Sequence, residues 1–115
     1  METLIDMKAL LDCFGNDKNF VAELLDDYYK STRGHLSALR EAAAAKDMKK
    51  VADTAHALKG ISASMFLEPL RDSFLQLEQM GKRGDLTGNE EVLKKIDVLF
   101  SEFEKEFHLT YPSLP

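Results

Sequence analysis

The residues best suited to chemistry lie in one run, His56-Ala57-Leu58-Lys59-Gly60-Ile61-Ser62. An imidazole, with an ordinary pKa of about 6.5, keeps a large neutral and nucleophilic fraction near pH 7. A lysine three residues further on can offset negative charge that such a ring acquires. The next residue, Gly60, costs roughly 1 kcal/mol in a helix interior relative to alanine, so stability does not select it. With helical residues turning about 100° each, Val51, Thr54, Leu58, Ile61 and Met65 gather on one side and His56 stands nearly opposite. The neighbours of His56 one and two turns away are Ala52, Lys59, Gly60 and Ala63, with Lys49 as a second cation in range. This spacing predicts a histidine on a low patch that another macromolecule can reach. His56 would carry a charged adduct and Lys59 would neutralise it, while Ala52, Gly60, Ala63 and Lys49 would form the docking surface.

No other site competes. Asp12 to Glu23 has the end-to-end spacing of a calcium loop, but Phe14 occupies a ligand position and Asp17 replaces the turn glycine. Gly81-Lys82-Arg83-Gly84 lacks the spacing of a nucleotide phosphate loop and the Ser or Thr after its lysine, which argues against an autonomous kinase. His35 reads as a boundary histidine on its helix, and His108 as a ring near a helix C-terminus, where positive charge is favourable. Cys13 reads as a small apolar filler, and Glu23, Asp26 and Asp27 as a solvated helix face. Three scattered histidines support no hydrolytic triad. No metal site is expected in this chain.

Helices must position the run, because the chain shows helical periodicity and no strand alternation. A short first segment, about 4–14, carries Leu4, Met7, Leu10, Leu11 and Phe14 and stops at Gly15-Asn16. Asp17 can cap a long second helix, about 18–45, with Val21, Leu24, Leu25, Tyr28, Tyr29, Thr32, Leu36 and Leu39 in its stripe. Asp47 can cap a third, which holds His56 and fades near Met65 to Leu67. Glu68-Pro69 suits the start of a fourth, with Leu70, Phe74 and Leu77 on one face and a stop at Gly81 to Gly84. The fifth, about 89–108, aligns Val92, Ile96, Leu99, Phe100, Phe103 and Phe107, and the tail Tyr111 to Pro115 is expected to fray or lie on the surface. The expected fold class is all-α: an antiparallel four-helix bundle with the short first helix as a lid over one end.

The 115 residues suit a single domain over 1–115, and the 44% apolar content with seven Phe is ample for a core without metal or disulfide. Charged residues at 30% and only three Pro argue against disorder. A net charge of −5, with Lys and Arg interspersed among acids, leaves no basic face for nucleic acid. A lone cysteine, an N-terminus without a basic start and apolar stretch, and no long apolar run predict a soluble cytoplasmic chain that does not enter a membrane.

His56, Leu58, Lys59, Gly60 and Ser62 resemble the His-x-Leu-Lys-Gly-x-Ser signature of histidine-containing phosphotransfer (HPt) domains. Asp47 with Val51-Ala52-Asp53-Thr54-Ala55 is similar to that family's lead-in. Leu75-Gln76-Leu77-Glu78, followed by Lys82-Arg83-Gly84-Asp85, is similar to its next helix and exit. The resemblance extends over about residues 6–107 and implies the same helical bundle. One departure stands out: four positions after Ser62, where the family usually has glycine, this chain has Phe66. The resemblance implies a relay in which His56 takes a phosphoryl group from a receiver-domain aspartate, holds it on a ring nitrogen and yields it to a second receiver. It further implies receiver domains or a hybrid sensor histidine kinase as partners of a monomeric carrier, with Mg²⁺ and its acidic ligands on the receiver and no cofactor on this chain. The competing reading is an HPt-like adaptor that binds a receiver or another protein without accepting phosphate. A histidine kinase dimerisation module has too few helices to fit.

Overall fold

The structure, a computed structural model, describes residues 3–112; residues 113–115 of the expected frayed tail lie outside that range. Five helices follow in order: α1 Met7–Cys13, α2 Lys18–Ala44, α3 Met48–Ser64, α4 Glu68–Arg83 and α5 Asn89–Thr110. The all-α class is as the periodicity predicts.

Local chemistry sets most of the boundaries. Asp6, Asp17 and Asp47 each accept a hydrogen bond from a backbone N–H in the first turn of the next helix, at 3.0, 3.0 and 3.1 Å. Asp17 is thereby spent as a cap. Pro69 sits in the first turn of α4, where its missing N–H costs nothing. The first helix begins three residues later than its apolar pattern suggests. The Glu106 carboxylate of α5 accepts from the N–H groups of Leu4 and Ile5, each at 2.9 Å, and holds that segment outside the helix.

Short loops turn each of the later helices back on its predecessor. His56 meets Glu78 while Ala52 meets Gly81, and Tyr29 meets Glu104 while Arg40 meets Asp97, so α3 with α4 and α2 with α5 run in opposite chain directions, as in an antiparallel bundle. α2, with 27 residues, spans about 40 Å at roughly 1.5 Å per residue, matching the 42 Å long dimension of the molecule. The core runs along that length through Val21, Leu25, Leu39, Leu58, Leu70, Phe74, Leu77, Ile96, Phe103 and Phe107, all fully buried. At the end where α2 begins and α5 finishes, α1 buries Leu10 and serves as the lid.

Three expectations change. Cys13 is exposed rather than a filler, because Leu10 already occupies the buried side of α1. Thr54 is only half-buried, and Ala55 takes its place in the core face of α3. Asp26 is withdrawn from the solvated acidic face and pairs with Lys30 at 2.9 Å.

Candidate functional site

His56 projects from the middle of α3 with its side chain 67% exposed. Helical spacing predicts that exposure, but not what lies beside the ring. α4 packs closely along α3 and places Glu78 next to the imidazole, with His56 Nδ1 2.8 Å from Glu78 Oε2. Lys59 Nζ lies 2.6 Å from Glu78 Oε1, and Lys82 Nζ lies 3.0 Å from Oε2. The glutamate residue itself is only 2% exposed. One buried carboxylate therefore gathers the histidine and two ammonium groups.

Lys59 above all holds the Glu78 carboxyl down at about 2, below its ordinary 4.5; burial opposes this, and Lys82 and His56 reinforce it. Glu78 is thus ionised at neutral pH and can only accept hydrogen bonds. The proton between it and the ring must sit on His56 Nδ1, which leaves Nε2 with the free lone pair on the exposed edge. Buried carboxylates select histidine tautomers in this way at metal and triad sites as well.

A stability consequence follows from the depressed carboxyl. Between about pH 4.5 and 2 the unfolded chain protonates Glu78 while the folded chain does not, so acid favours unfolding. The contribution of this group is fully present above about pH 4.5 and is lost as pH falls toward 2. Thermal melts of the native chain and Glu78→Gln, followed by circular dichroism across that window, should show a steeper fall of Tm for the native chain. Parallel curves would remove Glu78 as the source.

The other residues singled out by spacing separate into two groups. Gly60 and Ala63 are exposed, and a Cβ placed on Gly60 would meet no atom within 4 Å. Lys49 is also exposed but is paired with Asp53 at 3.0 Å. Ala52 does not belong to the open surface: it is 8% exposed, covered by α4 at Gly81. A Cβ on Gly81 would lie 2.8 Å from both Ala52 N and Met48 O, so the two backbones touch there. Ser62 is buried as well, hydrogen-bonded to the Tyr28 hydroxyl at 2.8 Å, and it ties α3 to α2 beneath the site. Burial pushes the Tyr28 hydroxyl up to about 12, so it stays neutral in this contact.

Sequence reasoning missed Glu78, Lys82 and Gly81. The signal for Glu78 was present: it falls four residues after Phe74 and three before Gly81, so an acid interrupts the buried stripe of α4. A charge at a core position demands a partner. His35 lies elsewhere and bonds its own helix, with Nδ1 2.8 Å from Ser31 O. His108 packs against Tyr29 and Phe107, its ring centroid 5.7 Å from each.

Known proteins are similar to this chain in sequence and in fold. The phosphorelay intermediate protein rdeA of Dictyostelium discoideum is 31% identical over 109 residues, a match covering 89% of this chain and 43% of rdeA. The chain thus spans less than half the length of that relative. In fold it is similar to histidine-containing phosphotransfer protein B (HptB) of Pseudomonas aeruginosa PAO1, whose crystal structure superposes with a TM-score of 0.88 over 100% of both chains at 22% identity. The model of the Hpt domain family matches residues 23–106, a stretch that holds the His56 signature, its carboxylate partner, α3 and α4 whole and most of α2 and α5. The chain belongs to the Hpt domain family.

Proposed function

We propose that this chain is a phosphorelay intermediate whose His56 accepts a phosphoryl group from the aspartyl phosphate of a receiver domain and passes it to another receiver. Family membership supports this reading, and so does one observation above all: Glu78 occupies Nδ1 and leaves Nε2 free on the exposed edge of the ring. In the transfer, the Nε2 lone pair forms the N–P bond as the P–O bond to the aspartate breaks, and the aspartate departs as a carboxylate. The ring, still protonated at Nδ1, becomes cationic, and the Glu78 carboxylate stabilises it. The return step to a second aspartate reverses these changes.

Phosphoryl transfer depends mainly on positioning and charge neutralisation. Glu78 alone beside the histidine would repel an incoming phosphoryl group, but Lys59 and Lys82 give the carboxylate and its two cations a net charge of +1. Lys59 and Lys82 are the counter-charges in this proposal, and Glu78 is a positioning residue. Gly60 and Ala63 give clearance for the docked receiver, with Lys49 at the border of the same face. Mg²⁺ is assigned to the acidic pocket of the receiver, and this chain acts as a cytoplasmic monomer that binds no cofactor. No described helix is long and apolar enough to cross a membrane.

The reading is tested by incubating the chain with a receiver domain phosphorylated in the presence of Mg²⁺. One acid-labile, alkali-stable phosphoryl group per chain is expected, mapping to the peptide that contains His56. An acid-stable label, or none from any receiver of the source organism, would overturn it.

A further inference from the structure

We propose that Phe66 is the apolar anchor that holds a receiver domain on α3 while its aspartyl phosphate meets His56, an inference that rests on the phosphotransfer reading above. Phe66 follows the last turn of α3 in a left-handed conformation, with φ of +59°. Its N–H donates to Ala63 O at 3.1 Å, and the Leu67 N–H donates to Ser62 O at 2.9 Å. This pair of bonds closes a helix end through one left-handed residue, a position that favours glycine because a Cβ is crowded there. Among the described residues, the other non-glycine residues with positive φ are Asn16, a type that tolerates the conformation, and Lys46. An aromatic ring at such a position is conformationally costly, and nothing about closing the helix requires one.

The ring is instead presented at the surface. Phe66 is 37% exposed, one of four large apolar side chains so placed among the described residues, with Phe20, Val98 and Leu109. It follows the C-terminal end of the helix that carries His56, and the eight residues from His56 to Ser64 rise about 12 Å at roughly 1.5 Å per residue. Gly60 and Ala63, small and exposed, lie between. A surface seated on His56 and sliding over Gly60 and Ala63 therefore arrives at Phe66. Charge divides the face: Lys59 and Lys82 cluster at His56, whereas Gly60, Ala63, Ser64 and Phe66 carry none. The complementary partner presents its acidic phosphoacceptor site to the lysines and an apolar rim to Phe66. Strain held at a helix end is then offset when the partner covers the ring.

The test uses the receiver that labels the unaltered chain fastest, phosphorylated with Mg²⁺ and a small acyl phosphate, in single-turnover transfer at increasing receiver concentration. Phe66→Gly and Phe66→Asn both suit the left-handed backbone and remove the ring. Each is expected to raise the receiver concentration needed for half-maximal rate about tenfold, while the rate at saturation stays within about twofold of native. That split separates lost docking from a disturbed His56, which would lower the saturating rate. Half-saturation unchanged in both folded variants overturns the anchor alone. Failure of the unaltered chain to accept label overturns the phosphotransfer reading, and the anchor with it.

Discussion

His56→Gln is expected to fold as the native chain does and to accept no phosphoryl group from any receiver. The folding half rests on exposure and on what remains after the substitution. The imidazole is two-thirds in solvent, and among the described residues its polar contact is the Nδ1 bond to Glu78. A glutamine amide can still donate to that carboxylate, and Lys59 and Lys82 continue to neutralise it at 2.6 and 3.0 Å. Exposed substitutions that leave no buried charge unpaired usually change stability by no more than about 0.5 kcal/mol. The chemical half rests on the absence of a substitute nucleophile. An amide nitrogen has its lone pair delocalised into the carbonyl and cannot form the phosphoramidate. His35 and His108 remain in this variant, which makes it an internal control: His35 is tied to Ser31 O at 2.8 Å on α2, and His108 is packed among rings at the far end of α5. Neither shares the carboxylate and lysines gathered around His56. The check is acid-labile phosphate per chain together with far-ultraviolet circular dichroism and Tm. A label on the Gln variant equal to that on the native chain would move the acceptor to another residue.

The fold was legible because its determinants are local. Apolar stripes with the helical period, an aspartate before each of the first three helices and a proline at the start of α4 all act within a few residues of the structure they specify. The later start of α1 has a local mark in the Asp6 cap, but the group that holds Leu4 and Ile5 outside the helix is Glu106, about a hundred residues away in the chain. At the site the same division holds. The exposure of His56, Gly60 and Ala63 follows from their angles on one helix. Burial of Ala52 does not, because a single helix carries no record of which flank its neighbour will cover. α4 covers the flank holding Ala52 and stops short of Gly60, so two small residues from one predicted patch have opposite surroundings. Glu78 was overlooked for a related reason. It reads as an interruption of an apolar stripe until α3 is laid beside α4 and supplies His56 and Lys59 as its partners. The departure at Phe66 was visible in the sequence, but its meaning required the backbone angle.

Gly81→Ala is expected to damage both the bundle and the site through a single methyl group. The added Cβ would stand 2.8 Å from Ala52 N and 2.8 Å from Met48 O, and 3.0 Å from Ala52 Cβ. Two of these neighbours are backbone atoms in the first turns of α3, which cannot rotate away as a side-chain tip can. Relief requires α3 and α4 to separate, which opens the closest approach between them. Overpacking against backbone atoms at 2.8 Å belongs to the upper part of the usual range, about 2–3 kcal/mol, and the better helix propensity of alanine returns roughly 1 kcal/mol. A net loss of about 1–2 kcal/mol would lower Tm by roughly 5–10 °C in a domain of this size. Gly60→Ala provides the contrast, because open space surrounds its Cβ position. There the propensity gain of roughly 1 kcal/mol acts unopposed and Tm should rise by about 5 °C. The same methyl group thus carries opposite signs at two glycines, and a Gly81→Ala chain melting at or above the native Tm would show that the helices do not meet as closely as described. The functional effect comes from Glu78, one turn before Gly81 on α4. A displaced α4 carries that carboxylate away from Nδ1 and frees the ring to place its proton on either nitrogen, so the fraction with Nε2 available falls. Transfer in Gly81→Ala should slow by about tenfold at saturating receiver, with the loss in the chemical step rather than in docking. An equal loss in both would mean that α4 shapes the docking surface as well as orienting the histidine.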